Sequence, residues 1–370
     1  MARTPKSSSN DNAAASDQML GAIVKAMQKS TGRGEVDIGI MGDGLFRAEP
    51  REWISSRVRL LDTALEGGIP VGRIVEIFGE PSTGKTLLLL TILASAQQEQ
   101  DALCCYIESE LGVTRQFAEQ LAHVDPKRIA MVDVETLEDG CRAASDFLHH
   151  AQQLIKSRGT DRPIVIALDS IAMFPTEAER DAMMDESVRL AEAARVIRRW
   201  MRTIRRDLAH SRATLIFTNH ETSKIGGFGE AFTTYGGTGG KFGASLRLRL
   251  QLLSRLRDGD RPLGIKVRIH VYKTRFSAPW RQLDVPLFFD RGFDDAATTV
   301  LYLQKTHALG EKPGWYIWEG KSYRRTELIA RMRDEPEFGE AVTKRAIEVY
   351  LAGGTGTEES PADPADDAVA

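Results

Sequence analysis

Eight consecutive residues of this sequence combine the backbone freedom and the side chains that a phosphate site needs. They match the pattern G-x-x-x-x-G-K-[ST] and are Gly79, Glu80, Pro81, Ser82, Thr83, Gly84, Lys85 and Thr86. Glycines let the backbone curl so that its N–H groups face phosphate oxygens, and Lys85 brings a positive charge to the β- and γ-phosphates. The hydroxyl of Thr86 is a ligand for Mg²⁺. The segment therefore predicts a triphosphate site that uses Mg²⁺.

Carboxylates at the ends of two apolar runs are the next candidates for chemistry. Asp169 directly follows the continuous apolar run 164–168, which is where a carboxylate near Mg²⁺ is expected. Glu108 and Glu110 lie at the end of the run 102–107, where a carboxylate can polarise the water that attacks a phosphate. The residue pattern alone does not choose between these two glutamates.

Alternating strands and helices are predicted to position these groups. The expected strands are 73–78, 102–107, 129–132, 164–168 and 214–218, and the expected helices are 86–96, 137–156 and 187–208. This order predicts an α/β fold with a mostly parallel sheet covered by helices. Residues 246–252 and 265–271 instead alternate apolar and polar side chains around Asp258-Gly259, which predicts a hairpin of antiparallel edge strands.

Shifts in composition predict five segments. Residues 1–16, rich in Ser, Ala and Asn, are expected to be a disordered arm, and 17–50 a separate N-terminal segment with a helix and an apolar patch. Residues 51–297 form the predicted core, and 298–352 a small α/β C-terminal domain. Residues 353–370 form an acidic tail that we expect to be disordered. The N-terminal segment docks either on a neighbouring subunit or on its own subunit.

Bulk composition excludes some classes of protein. The chain has 49 basic and 52 acidic residues and a net charge of −3, so any nucleic-acid site must come from local charge. The three cysteines have no metal-ligand spacing, which favours a reducing compartment. No apolar run approaches the roughly 20 residues that a membrane helix needs. We therefore expect a cytoplasmic protein without a membrane partner.

The ordered set of motifs resembles the bacterial RecA recombinase family, including its phage members. The similarity covers about residues 50–340 and is carried by 72–86, 106–110, 166–170, 215–219, 236–237, 241–245, 273–280 and 314–316. The resemblance implies a RecA-type P-loop ATPase core that uses ATP and Mg²⁺. It also implies a homo-oligomeric helical filament on single-stranded DNA, which pairs that strand with homologous duplex DNA and exchanges strands.

Two catalytic and nucleotide-binding roles follow from the resemblance alone. Glu110 takes the position of the catalytic glutamate. Phe117 falls where the family places an aromatic ring against adenine, while Thr114 stands where an Asp is usual. The order Glu80-Pro81 inverts the usual Pro-Glu of the phosphate loop.

Three further positions match residues that face the γ-phosphate or the ATP of a neighbour. Lys273 and Arg275 match two basic residues that reach across the subunit interface, and the second is normally Lys. His220 replaces the Gln that senses the γ-phosphate in the family. Because a histidine changes its protonation near neutral pH, the coupling of ATP to DNA is expected to differ here.

Two loops, at about 177–190 and 221–238, correspond to the DNA-binding loops of the family. Lys224 is expected to contact a phosphate, and Ile225 to wedge between bases. Arg195 and Arg202 coincide with family positions on the DNA backbone and share one face of a predicted helix. The full set of expected DNA-binding residues is Leu190, Arg195, Arg202, Lys224, Ile225, Gly226, Gly236, Gly237 and Arg247.

Two alternative functions remain at this point. One is a RecA-fold ring ATPase or helicase, in which a basic pair like Lys273 and Arg275 reaches the neighbouring subunit. The other is a non-catalytic DNA-binding paralogue, against which the presence of Lys85, Glu110 and Asp169 argues. Closed rings instead of filaments would identify the first, and absence of ATP turnover the second.

Overall fold

The computed structural model describes residues 8–30, 38, 40, 50–110, 112–181, 186–223, 232–235, 243–312 and 314–353. The chain divides into two compact units, Met1–Pro50 and Arg51–Ala370. Among the described residues, no helix combines the length and the apolar character needed to cross a membrane.

The first unit contains one long helix, α1 (Ser8–Ser30). Residues 8–16, predicted as part of a disordered arm, belong to this helix. The segment includes three consecutive alanines, 13–15, and alanine has the highest helix propensity of all residue types. Four of its large apolar side chains, Met19, Leu20, Ile23 and Met27, are exposed, and Ile23 is 55% accessible. Most of the apolar patch 36–41 lies outside the described residues.

The second unit is built on one large mixed sheet. Its strands and those of two smaller sheets are β1 (Trp53–Ile54), β2 (Ile69–Pro70), β3 (Ile74–Gly79), β4 (Leu103–Glu108), β5 (Ile129–Asp133), β6 (Ile164–Asp169), β7 (Ala213–Ser223), β8 (Phe232–Thr234), β9 (Leu246–Asp258), β10 (Arg261–Thr274), β11 (Gln282–Phe288), β12 (Gly292–Phe293), β13 (Gly310–Lys312), β14 (Trp315–Trp318) and β15 (Lys321–Tyr323). The helices are α2 (Arg59–Ala64), α3 (Lys85–Gln100), α4 (Arg115–Gln120), α5 (Leu137–Arg158), α6 (Glu177–Asp181), α7 (Glu186–His210), α8 (Asp295–Lys305), α9 (Arg325–Asp334) and α10 (Pro336–Leu351).

The large sheet has the order β12-β11-β10-β9-β3-β7-β6-β4-β5, and β8 pairs with β7 beside this path. Strands β5, β4, β6, β7, β3 and β9 pair in parallel, and β9 to β12 pair antiparallel. This confirms the predicted mostly parallel sheet with antiparallel edge strands. The hairpin predicted at Asp258-Gly259 joins β9 to β10.

Two apolar layers cover the two faces of this sheet. Helix α3 lies in one layer, which includes Val75 and Ile77 of β3. Helices α5 and α7 lie in the other, which includes Ile74 of the same strand. Every residue of β3 and of β6 is buried, as expected for parallel strands covered on both faces. The carboxyl ends of these strands are therefore the free edge at which polar residues gather.

The C-terminal module is joined closely to the core. Strands β13, β14 and β15 form a small sheet, and α9 and α10 pack against α8. The buried side chains Val300, Leu328 and Val342 belong to the same apolar cluster as β3 and α3. The predicted boundary at residue 298 falls inside α8, because this helix contributes to both parts.

Asp62 of α2 has a half-buried carboxyl group that accepts hydrogen bonds from two serines. Its oxygens accept the N–H of Ser56 at 2.9 Å and the hydroxyl of Ser55 at 2.7 Å. Burial outweighs these hydrogen bonds and raises the pKa of Asp62 from 3.8 to about 6. The folded protein therefore keeps this proton at a pH at which the unfolded chain has lost it.

This pKa shift predicts a stability change for Asp62→Asn. The free energy of unfolding of the wild type falls as the pH rises from 3.8 to about 6 and stays lowered above that range. Asparagine removes the buried charge and still accepts the Ser56 N–H. The variant should therefore gain up to about 3 kcal/mol at about pH 7.5, from roughly two pKa units, and nothing at about pH 4. Urea unfolding at both pH values checks this, and an equal gain at both would contradict it.

Candidate nucleotide site and nucleic-acid interface

The predicted phosphate loop connects the end of β3 to the start of α3. Gly79 and Gly84 have φ angles of 151° and 87°, in the region that favours glycine. A Cβ at Gly79 would lie 2.1 Å from the carbonyl oxygen of Leu250, and one at Gly84 would lie 2.5 Å from Cδ1 of Leu287. Backbone conformation therefore requires both glycines, and at Gly79 the contact with backbone leaves no space for a side chain.

Lys85 is held inside the curve of this loop. Its Nζ donates to the carbonyl oxygen of Glu80 at 2.8 Å, and the Thr83 hydroxyl donates to the same oxygen at 2.9 Å. Burial lowers the pKa of Lys85, an effect that nearby Asp169 and Glu110 oppose. Because Gly84 supplies no side-chain cap, the first N–H groups of α3 remain available to an anion. The loop thus has the donors that a triphosphate needs.

Asp169 ends β6 in a fixed orientation. The Tyr106 hydroxyl donates to its Oδ2 at 2.8 Å, and the Thr218 hydroxyl donates to its Oδ1. Burial strongly raises the pKa of Tyr106, so this phenol stays a donor. The sequence pattern did not single out either hydroxyl, although a polar side chain inside an apolar strand is the signal of such a partner.

The donor set at Asp169 fits Mg²⁺ held together with phosphate oxygens. Within the part of the chain that the structure describes, no group of three acidic, His or Cys side chains is placed to hold a metal ion by itself. Mg²⁺ commonly takes one or two protein ligands and completes its shell with water and substrate phosphates. Thr86 and Asp169 are the residues that the sequence predicts as those protein ligands.

The residue pattern left open which of the two glutamates faces the nucleotide, and the structure distinguishes them. Oε1 of Glu108 accepts the N–H groups of Gly112 and Val113, at 2.7 and 2.9 Å, so this carboxylate shapes the following turn. Oε1 of Glu110 lies 3.2 Å from Nε2 of His220, and its charge acts on Lys85. Glu110 is therefore the carboxylate of the pair that lies beside the phosphate loop.

His220 lies next to the first glycine of the phosphate loop. In the parallel pairing of β3 with β7, His220 is the register partner of Gly79. The preceding residue, Asn219, donates from its side-chain amide to Glu76 at 2.9 Å and to the carbonyl oxygen of Tyr235 at 3.1 Å. These contacts fix the backbone that carries His220 at the loop.

Lys273 and Arg275 lie toward the other end of the sheet. In the sheet register Lys273 lies opposite Arg247, and Arg247 lies opposite Glu76 of β3. The phosphate loop begins three residues further along β3, at Gly79. Burial, followed by the charges of Arg275 and Arg247, lowers the pKa of Lys273 to about 8. The structure does not bring this basic pair to the phosphate loop of its own subunit, and Arg275 is exposed.

The two residues predicted near adenine lie at α4. Thr114 is the N-cap of this helix, and its hydroxyl accepts the N–H of Phe117 at 3.1 Å. Phe117 is half-buried against the core that contains α3. Threonine keeps the capping function that an aspartate has at this position.

Helix α7 presents the predicted phosphate contacts Arg195 and Arg202 to solvent. Both are exposed, and Arg195 also lies 3.3 Å from Glu192. Four further arginines project from the same side of the helix. They are Arg198, Arg199, Arg205 and Arg206, and all of them are exposed. Their helical positions lie opposite the buried residues Ile197 and Ile204.

The other predicted DNA-binding residues are only partly described. Leu190 belongs to α7, but its side chain is outside the described residues. The same holds for the second loop, in which Lys224, Ile225, Gly226, Gly236 and Gly237 fall outside the described part.

Arg247 is a correction to the predicted DNA-binding set. It is 2% accessible and forms an ion pair with Glu76, which is completely buried. Its guanidinium carbon lies 4.4 Å from the ring centroid of Phe78 and 5.3 Å from that of Tyr272. The side chain therefore contacts residues in the interior of the protein and is not available to DNA. A glutamate inside the apolar run 73–78 was the signal that a buried cation had to be found nearby.

Comparison with known proteins agrees with this geometry. Residues 18–294 match the family model of the RecA N-terminal domain. The protein RecA of Kineococcus radiotolerans is 33% identical over 337 residues, which cover 90% of this chain and 92% of that relative. The chain therefore belongs to the RecA family of recombinases, whose members are DNA-dependent ATPases of recombination and DNA repair.

Proposed function

We propose that this protein is an ATP-dependent recombinase that forms helical filaments on single-stranded DNA and exchanges that strand with a homologous duplex. One observation carries the proposal. The phosphate loop, Glu110 and His220 meet at one edge of the sheet, and His220 lies on the strand that leads into the predicted second DNA loop. A change in that loop therefore acts directly on the site of hydrolysis.

In this proposal the phosphate loop binds ATP and Glu110 acts on water. The N–H groups of the loop and Lys85 hold the β- and γ-phosphates, and Phe117 packs on adenine. Glu110 accepts the proton of the attacking water, and His220 donates a hydrogen bond to the γ-phosphate. Thr86 and Asp169 would hold Mg²⁺, which would neutralise phosphate charge.

Lys273 and Arg275 reach the ATP of a neighbouring subunit in this proposal. The sheet register supports it, because Lys273 lies at the level of Glu76, three residues or about 10 Å before Gly79 at the start of its own phosphate loop. The lowered pKa of Lys273 shows that its burial near other cations is unfavourable, and an incoming phosphate relieves this. ATP then stabilises the filament, and its hydrolysis weakens the interface.

The N-terminal segment supplies the second contact between subunits. The apolar face of α1 is exposed, which is unfavourable in water unless another surface covers it. Strand β5 is the outer strand of the large sheet and exposes Met131. We infer that α1 and the residues that follow it dock on the next subunit.

Single-stranded DNA is bound mainly through its phosphates. Arg195 and Arg202 contact the strand from α7. Leu190, Lys224, Ile225, Gly226, Gly236 and Gly237 contact it from the two loops. Such binding is largely independent of base sequence and weakens with salt, because counterions are released from the strand.

ATP turnover with and without single-stranded DNA tests the proposed function. We expect DNA to raise turnover of the wild type by at least about tenfold, in keeping with the usual range of coupling between sites. Lys85→Ala should lose nucleotide binding. Glu110→Gln should keep it and lower kcat by about 10² to 10⁴-fold, as for loss of a general base. Glu108→Gln is the matched control, because an amide oxygen still accepts both backbone N–H groups. Turnover indifferent to DNA would reject the proposal.

The salt dependence of DNA binding tests the role of α7. The double variant Arg195→Ala/Arg202→Ala should bind oligo(dT) more weakly and reduce the slope of log K against log salt by about 1.4, or about 0.7 per lost contact. Fluorescence anisotropy with a non-hydrolysable ATP analogue measures this. Arg257→Ala removes an exposed arginine at the far end of β9 and serves as the control. An unchanged slope in the double variant would remove both arginines from the DNA site.

Electron microscopy of the assembly tests the role of α1. Ile23→Asp places a charge on the exposed apolar face and should abolish filaments on single-stranded DNA without loss of the fold. Lys25→Asp places the same carboxylate on the opposite side of the helix and should leave the filaments intact. Closed rings in the wild type would instead support the ring ATPase.

A further inference from the structure

Arg249 and Glu221 form an ion pair at the base of the β7–β8 hairpin. Nε of Arg249 donates to one carboxylate oxygen of Glu221 at 2.8 Å, and a second guanidinium nitrogen donates to the other at 2.6 Å. The side chains are 22% and 8% accessible, respectively. A bidentate ion pair that is largely buried fixes both the distance between the two side chains and their relative orientation.

The same guanidinium also holds the second arm of the hairpin. The guanidinium carbon of Arg249 lies 4.2 Å from the ring centroid of Phe232 in β8. Phe232 in turn packs against Phe78 and Tyr272, with ring centroids 5.9 and 5.6 Å apart. Arg249 on β9 therefore contacts both β7 and β8. We refer to Arg249, Glu221 and Phe232 as the hairpin clamp.

Strand β8 needs such an anchor. It has three residues and pairs with β7, through the register partners Glu221 and Thr234. A short two-stranded ribbon is only marginally stable by its own hydrogen bonds. The clamp supplies the tertiary contacts that keep β8 beside β7.

The clamp lies at the base of the predicted second DNA loop, on the side of the nucleotide site. Glu221 directly follows His220, the residue beside Glu110, and its charge also acts on Lys85. On the other side, the two strands of the hairpin lead into residues 224–231, which belong to the predicted loop.

We propose that the hairpin clamp is the positioning device through which DNA in the second loop sets the geometry of His220 and Glu110. This inference rests on the proposed DNA-dependent hydrolysis and adds the residues that transmit it. When the loop engages DNA, the two strands of the hairpin move as one body because Arg249 holds both. Without the clamp, the loop still engages DNA, but it is no longer tied to the part of β7 that carries His220.

The test is the ratio of ATP turnover with and without oligo(dT). Glu221→Gln and Arg249→Met should each lower this ratio by about tenfold, the size of an ordinary coupling between sites. The charge swap Glu221→Arg/Arg249→Glu should recover it, because it restores the pair with opposite polarity. Arg249→Lys should give an intermediate ratio, since lysine keeps the charge but loses the two-bond fork.

A matched control separates positioning from general stability. Arg268 forms a comparable two-bond pair with Asp284, at 2.6 and 3.1 Å, on β10 and β11. Arg268→Met should lower the melting temperature, measured by circular dichroism, and leave the turnover ratio at the wild-type value. If Arg249→Met does not fold, Arg249→Lys and the charge swap carry the test.

The outcomes distinguish this inference from the proposed function. If the wild type is stimulated by DNA and Arg249→Met is stimulated equally, the clamp is rejected while the recombinase proposal stands. If the turnover ratio of the charge-swap variant stays as low as that of the single variants, the pair does not act as a unit, and the clamp is rejected as well. A wild type that DNA does not stimulate rejects both proposals.

Discussion

A single buried carboxylate holds the centre of this molecule together. Glu76 lies completely inside the sheet and binds Arg247 of β9 and the amide of Asn219 on β7. It therefore connects three neighbouring strands by charge and hydrogen bonds. Removing one partner of such a pair leaves an uncompensated charge in the interior, which typically costs about 3–5 kcal/mol. The relative positions of β3, β7 and β9 depend on this contact.

The site residues are carried by those same strands. The phosphate loop follows β3, His220 lies on β7, and Arg249 lies on β9 two residues after Arg247. The parallel register places His220 beside Gly79, so small shifts between the strands change the distance between the phosphate loop and the base of the hairpin. The buried charge and hydrogen-bond contacts of Glu76 thus determine the geometry of the site at the edge of the sheet.

Much of this arrangement could be predicted from the sequence because the signals are local. The phosphate loop needs glycines at fixed positions, and Asp169 follows a strand that is apolar along its whole length. The hairpin at Asp258-Gly259 was likewise visible in the alternation of its strands. Such patterns arise within one element or between consecutive elements, so spacing along the chain is sufficient to find them.

The remaining features depend on contacts between distant segments. The choice between Glu108 and Glu110 rests on the turn at Gly112 and Val113, and the burial of Arg247 rests on its register with β3. Helical periodicity shows that Arg195 and Arg202 share a face, but only packing shows which face is free. The helix in residues 8–16 was missed because polar residues around the alanine run favoured a reading as a disordered arm.

The close fit of the phosphate loop against the edge strands has a mechanical consequence. Gly84 abuts Leu287 of β11, β11 packs against α8, and α8 carries α9 and α10. Close-packed side chains transmit displacement rather than absorb it. A force applied to the C-terminal module therefore reaches the nucleotide through a stiff series of contacts. The C-terminal module therefore acts as a lever arm on the phosphate loop.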